Sequence, residues 1–147
     1  MSESKKKYKT GMFPMVGDLL HLGHLYSLKV AKKCCEKLIV ALNVDPTVDN
    51  PNKNKPVESP YERWFRLDSC KYVDEIIPYC GEEDLIRVLT TTYYDVRFVG
   101  DDHMDNWTGK DYEDEVGIEN LIISRRHGES STSLKDRIVN SNKGDKK

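Results

Sequence analysis

The sequence predicts a small, Rossmann-like, doubly wound α/β domain on a mainly parallel sheet of five strands. Three observations carry that reading. Short apolar runs alternate along the chain with stretches of helical periodicity, the order that right-handed βαβ crossovers produce. Residues 38–44 (LIVALNV) are apolar almost without a break, as in a central parallel strand covered on both faces. At 147 residues the chain is one domain's worth, enough to bury roughly 70% of its unfolded surface.

Residues 10–16 read as the first strand, with Pro14 the one residue that a central strand resists. Residues 24–37 follow as a helix, with Leu25, Leu28, Ala31 and Cys35 on one face and Lys29, Lys32 and Lys33 turned away. The second strand is the apolar run 38–44. Residues 45–58 carry Pro46, Pro51 and Pro56 among Asn and Lys; this 14-residue loop exceeds the usual connection and reads as a mobile, functional segment. Ser59-Pro60-Tyr61-Glu62 is a capping box with proline at the first helical position, opening a helix to about residue 72. Residues 75–78 form a short strand, 82–90 a helix and 96–99 another strand. The acidic stretch 101–117, with its two glycines, is expected to be irregular or only partly helical. Residues 121–123 make the last strand and 130–140 the last helix, capped by Ser131 or Thr132. Residues 8–140 are thus expected as one domain between lysine-rich tails, 1–7 and 141–147, that fray. No internal repeat is visible.

Composition narrows the function. A net charge of -2 with 33% charged residues argues against a general nucleic-acid or membrane binder, so any anion site must be local. No apolar stretch reaches membrane-spanning length, and residues 1–7 lack the apolar core of a signal peptide. Cys34, Cys35, Cys70 and Cys80 show neither CxxC pairing nor zinc spacing, which predicts reduced thiols in a cytoplasmic protein.

The most informative run is His21-Leu22-Gly23-His24, straight after the first strand and opening a helix. Two imidazoles three positions apart share one face of a helical turn. Gly23 between them lets a polyanion approach the backbone, and a helix start presents unpaired N–H groups. In an open parallel sheet, ligands sit beyond the strands' carboxyl ends where the order reverses. Three segments, 17–24, 100–103 and 125–132, follow predicted strands and are expected to converge there.

These residues resemble the cytidylyltransferases of the glycerol-3-phosphate type within the HxGH nucleotidyltransferases. Residues 18–24 (DLLHLGH) are similar to that family's DLLHxGH signature. Residues 71–78 (KYVDEIIP) resemble its RYVDEVIP block, and 95–102 (DVRFVGDD) its DVxVxGDD strand and loop. Residues 125–132 (RRHGESST), followed by 133–138 (SLKDRI), resemble RTxGISTTxIKxxI, so four motifs run in order over residues 11–138. The chain departs from the pattern before Asp18: either Gly17 replaces the phenylalanine of GxFD without a gap, or residues are inserted after Phe13. Glu129 enters the ISTT position, and Tyr79–Glu82 and His103 stand where the family carries tryptophans.

The resemblance implies transfer of CMP from CTP to a small phosphomonoester, glycerol 3-phosphate foremost, with release of pyrophosphate. Phosphoethanolamine or a sugar phosphate as acceptor, an ATP-using adenylyltransferase, and a non-catalytic nucleotide-binding protein remain as other readings. A phosphate monoester is already ionised near neutral pH (second pKa about 6), so positioning and charge stabilisation matter more than a general base. The implied catalytic residues are His21 and His24, donating to the α- and β-phosphate oxygens, with Lys55 and Arg63. Nucleotide contacts fall to Asp18, which orients the histidine loop, to Gly23, Asp102 and Arg125, and to Ser130, Ser131 and Thr132. Lys53 and Lys71 are the acceptor-side candidates. Plainer readings stand beside these: solvated lysines, a surface ion pair at Arg63, and simple helix capping by Ser130–Thr132. Mg²⁺ is expected to bind mainly through the triphosphate, and the block at 71–78, an interface in the family, implies a homodimer.

Overall fold

In the computed structural model, which describes residues 6–101, 106–124 and 138–140, strands and helices alternate as the patterning predicts. β1 (Tyr8–Met15), a 3-10 turn (Asp18–Leu20) and α1 (Leu22–Cys34) lead into β2 (Cys35–Asn43). After a long connection come α2 (Pro60–Asp68), β3 (Glu75–Tyr79), α3 (Glu82–Thr91), β4 (Val96–Gly100), α4 (Lys110–Val116) and β5 (Glu119–Ile123). The sheet order is β3-β2-β1-β4-β5, and every recorded pairing is parallel. The chain builds outward from β1 to β3, then returns to the other side of β1 with β4. The order therefore reverses between β1 and β4, which puts the crevice for a ligand beyond their carboxyl ends.

β2 shows how the apolar run serves two layers. Leu38, Val40 and Leu42 join Tyr8, Phe13, Leu28, Leu67 and Phe98 in one core cluster. Ile39 and Ala41 point the other way, into a cluster with Met12, Leu85, Val88, Leu89 and Tyr94. This is the strand alternation expected when both faces are covered by helices. At Gly11 a Cβ would collide with the ring of Phe98 on the neighbouring strand β4, hence glycine inside a central strand.

Several boundaries differ from the sequence reading, for tertiary reasons. α1 starts at Leu22 and ends at Cys34, so Cys35 begins β2 instead of closing a helix. Pairing of Tyr8 with Cys35 and of Thr10 with Lys37 outweighs the helical spacing of the local sequence. α2 stops at Asp68, four residues short of the expected end, with Cys70 N–H turning back to the Leu67 carbonyl. Pro14 is accommodated near the end of β1, beyond the two residues, Gly11 and Met12, that pair with β4. The β1–β2 register continues unbroken from Phe13 through Met15, with no bulge after Phe13. Among the described residues of 101–117 lies the helix α4, delimited by left-handed glycines Gly109 (φ 91°) and Gly117 (φ 84°). The expected last helix lies outside the described residues except for 138–140, which are helical.

Candidate active site

The loop that leaves β1 sets the site. Gly17 (φ 69°) turns the chain, and Leu19 (φ 62°) and Leu20 (φ 24°) continue in the left-handed region, which a leucine adopts only under constraint. His21 then becomes the N-cap of α1. Its Nδ1 accepts the Gly23 N–H at 3.0 Å, while the His21 N–H donates to Nδ1 of His24 at 3.2 Å. The two rings stack with centroids 3.9 Å apart and planes 27° from parallel. A neutral imidazole whose Nδ1 accepts carries its proton on Nε2, so both rings are N–H donors at the same end. The helix start and the histidine pair are one construction.

Asp18 lies 4% exposed beneath this loop. Its carboxylate accepts the N–H groups of Val57 (2.9 Å) and Glu58 (3.0 Å), joining the histidine loop to the segment that enters α2. Glu58 returns the contact: its Oε1 accepts the Leu19 N–H at 2.8 Å and its Oε2 accepts from Arg66 Nε at 2.5 Å. Glu58 was not among the sequence candidates. Its only signal was a carboxylate one residue ahead of the Ser59 cap.

Arg63 lies inside the protein. It is 1% exposed, and its guanidinium donates to the carbonyls of Glu58, Val16, Asn43 and Val44. Buried on these carbonyls it is no surface ion pair, and it clamps the carboxyl ends of β1 and β2 to the start of α2. Burial pulls the Arg63 guanidinium below its ordinary range, against the opposing pull of the Asp18, Glu58 and Asp45 carboxylates.

Lys53 and Lys55 are exposed in the connection between β2 and α2. That connection contains turns closed by Val48 N–H to the Asp45 carbonyl and Lys53 N–H to the Asn50 carbonyl. Asp45 is held below the usual carboxylate range by the Thr47 hydroxyl and amide, and then by the charges of Lys55 and Arg63. Lys55 therefore stands near the carboxyl end of β2, on the side of the sheet edge that carries the histidines. Lys71 does not. It lies in the turn between α2 and β3, at the amino end of the sheet, with its ammonium over the Tyr72 ring. In a parallel sheet that end is the pole opposite His21. Asp102, Arg125, Ser130, Ser131 and Thr132 lie outside the described residues.

A parallel sheet with its order reversed at β1 and β4, and paired imidazole donors at the helix start beyond β1, defines the class: an α/β protein built to hold nucleotide phosphates. The family follows from comparison. Residues 13–143 match the family described as cytidylyltransferase-like, and the chain belongs to it. A glycerol-3-phosphate cytidylyltransferase from Bacillus subtilis is 34% identical over 123 residues, covering 83% of this chain and 91% of the relative. The bifunctional protein HldE of Paramagnetospirillum magneticum is 33% identical over 131 residues, 88% of this chain but 27% of that protein. The chain thus spans about a quarter of that larger relative. Among solved structures, a lipopolysaccharide core biosynthesis protein from Thermoplasma volcanium superposes with TM-score 0.63 at 25% identity, over 80% of this chain and 96% of that one.

Proposed function

We propose that the protein transfers CMP from CTP to a small phosphomonoester, with glycerol 3-phosphate the favoured acceptor. A phosphate oxygen of the acceptor attacks the α-phosphorus, the bond to the β-phosphate bridging oxygen breaks, and pyrophosphate leaves as a CDP-alcohol forms. The observation that carries this reading is the histidine pair, with both Nδ1 atoms engaged by main-chain amides, which puts the proton of each neutral ring on Nε2. Donors held in advance stabilise charge as it develops on the α- and β-phosphate oxygens, without reorganisation during the reaction. Lys55, and Lys53 beside it, add mobile positive charge over the same phosphates. Asp18 and Arg63 hold the loop and strand ends that present these groups.

Mg²⁺ would accompany the triphosphate and lower its charge. The groups this chain offers, imidazole N–H and ammonium, suit phosphate oxygens and do not themselves make a cation site. Asp102, Arg125 and the Ser130–Thr132 hydroxyls complete the proposed nucleotide contacts on the strength of their motifs. A homodimer belongs to the same reading. It rests on the resemblance of residues 71–78 to an interface block, and is supported by β3 being an edge strand. Exposed Tyr61 and Phe65 on the neighbouring α2 add an apolar face beside it. A cytoplasmic setting is supported by four free cysteines; among the described residues no helix is long and apolar enough to cross a membrane.

The test is pyrophosphate release with CTP and ATP against glycerol 3-phosphate, phosphoethanolamine and sugar phosphates. Release with CTP and glycerol 3-phosphate is the expected result. Release with ATP alone, or with no nucleotide, overturns the reading.

A further inference from the structure

We propose that Glu58 is a positioning residue for the histidine pair, keeping the strained turn at Leu19 in the conformation that aims His21. The inference rests on the reading above, in which that pair serves the phosphates. Leu19 and Leu20 lie at φ 62° and 24°, a region that is unfavourable for a non-glycine residue and persists only where the surroundings enforce it. The enforcing contact at Leu19 is the Glu58 Oε1, 2.8 Å from its N–H. Glu58 is itself pinned. It is 7% exposed, its second oxygen is 2.5 Å from Arg66 Nε, and its own amide donates to the Asp18 carboxylate at 3.0 Å. The Asp18 carboxylate thus binds the Glu58 amide, and the Glu58 carboxylate binds the amide of Leu19, the residue after Asp18, across gaps of 40 and 39 residues.

The consequence runs through the main chain. Two residues beyond Leu19, the His21 N–H donates to His24 Nδ1, and the His21 ring caps Gly23. If Leu19 relaxes to right-handed φ, the His21 peptide rotates, and both cap hydrogen bonds and the ring stack lose their geometry. Arg66, whose side chain is 54% exposed, steadies Glu58 from the solvent side. Glu58 does not touch the reacting atoms in this scheme. It acts through Leu19.

The experiment uses the full chain and compares wild type with Glu58→Gln, Glu58→Ala, Leu19→Gly and the double variant Glu58→Ala/Leu19→Gly. Turnover is measured with CTP and glycerol 3-phosphate, and histidine ring nitrogens are followed by long-range ¹⁵N NMR. Glu58→Gln keeps an oxygen for the Leu19 N–H and should stay within about threefold of wild-type kcat. Glu58→Ala should lower kcat by about tenfold to a hundredfold, with KM for CTP little changed, and move the Nδ1 signals of His21 and His24 from their accepting positions. Leu19→Gly removes the penalty for left-handed φ, so the double variant should recover most of the loss. Glu58→Ala with wild-type kcat and unmoved ring signals overturns the proposal, as does a loss that Leu19→Gly fails to relieve. If wild type releases no pyrophosphate with any nucleotide, the functional reading fails, and the ring signals alone then decide whether Glu58 sets the pair. Should Glu58→Ala not fold, Arg66→Ala is read in its place, with the same ring-signal shift expected.

Discussion

Two buried carboxylates, Glu113 and Glu58, are used in opposite ways. Glu113, fully buried on α4, accepts hydrogen bonds from Tyr94 Oη, Arg97 Nη1, Trp107 Nε1 and Asn120 Nδ2. Its partners come from β4, β5 and the connections around them, so one carboxylate ties that side of the sheet together. Glu58 accepts from Arg66 and from the amide of a left-handed leucine. At Glu113 the hydrogen bonds lower the free energy of residues already in comfortable conformations. At Glu58 they hold a turn in a conformation it would otherwise leave. A buried charge, then, does not of itself mark a functional site; the conformation of what it binds does.

The sharpest way to break that comparison is Glu113→Ala. It leaves Arg97 without its carboxylate in the interior and should destabilise the protein by about 3–5 kcal/mol in urea unfolding. Turnover per folded molecule should remain near wild type; a selective loss of kcat would show the two regions to be coupled. On the other side, His21→Ala or His24→Ala should each lower kcat by about 10²–10³-fold, with a smaller change in CTP affinity and a modest loss of stability from the broken cap. Near-normal turnover in either variant removes the pair from the chemistry.

A pH titration separates the regions at the next level of size. Burial pushes the Tyr79 hydroxyl up to about 12. A phenol ionises more readily in the unfolded chain, near pH 10, so this contribution is complete below pH 10 and is lost as the pH rises towards 12. Stability should fall by about 2–3 kcal/mol across that window, and Tyr79→Phe should flatten the slope. Hydrogen exchange probes the connection at 45–58: amides around Lys53 and Lys55 should become protected when CTP binds, and equal protection with and without it would contradict their role. The smallest effect is chemical. Exposed Cys80 should react with a thiol reagent well before Cys35, whose thiol burial raises to about 11.

The order and type of the elements were legible because they rest on local signals. The Ser59 capping box, the doubly apolar run of β2 and the glycines at 109 and 117 each act within a few residues. The histidine pair was legible for the same reason, since its two members cap one turn. What was not legible is held by main-chain partners far apart in sequence. Arg63 reads as a surface or catalytic arginine until its four acceptors prove to be carbonyls at 16, 43, 44 and 58. Glu58 has the same character, because an amide at Leu19 leaves no trace in side-chain spacing. The place of Lys71 was not legible either, because a motif states the order of residues but not the pole of the sheet at which a turn falls.

The histidine caps also couple catalysis to heat. A helix end frays at a smaller free energy than the whole domain unfolds. Because Gly23 N–H and His21 N–H are bound by the same rings that we propose donate to phosphate, opening the first turn of α1 and misaligning those donors would be a single event. Activity should therefore fade on warming while the sheet is still intact, and return on cooling, so that the working ceiling of the enzyme is the thermal reach of one helical turn.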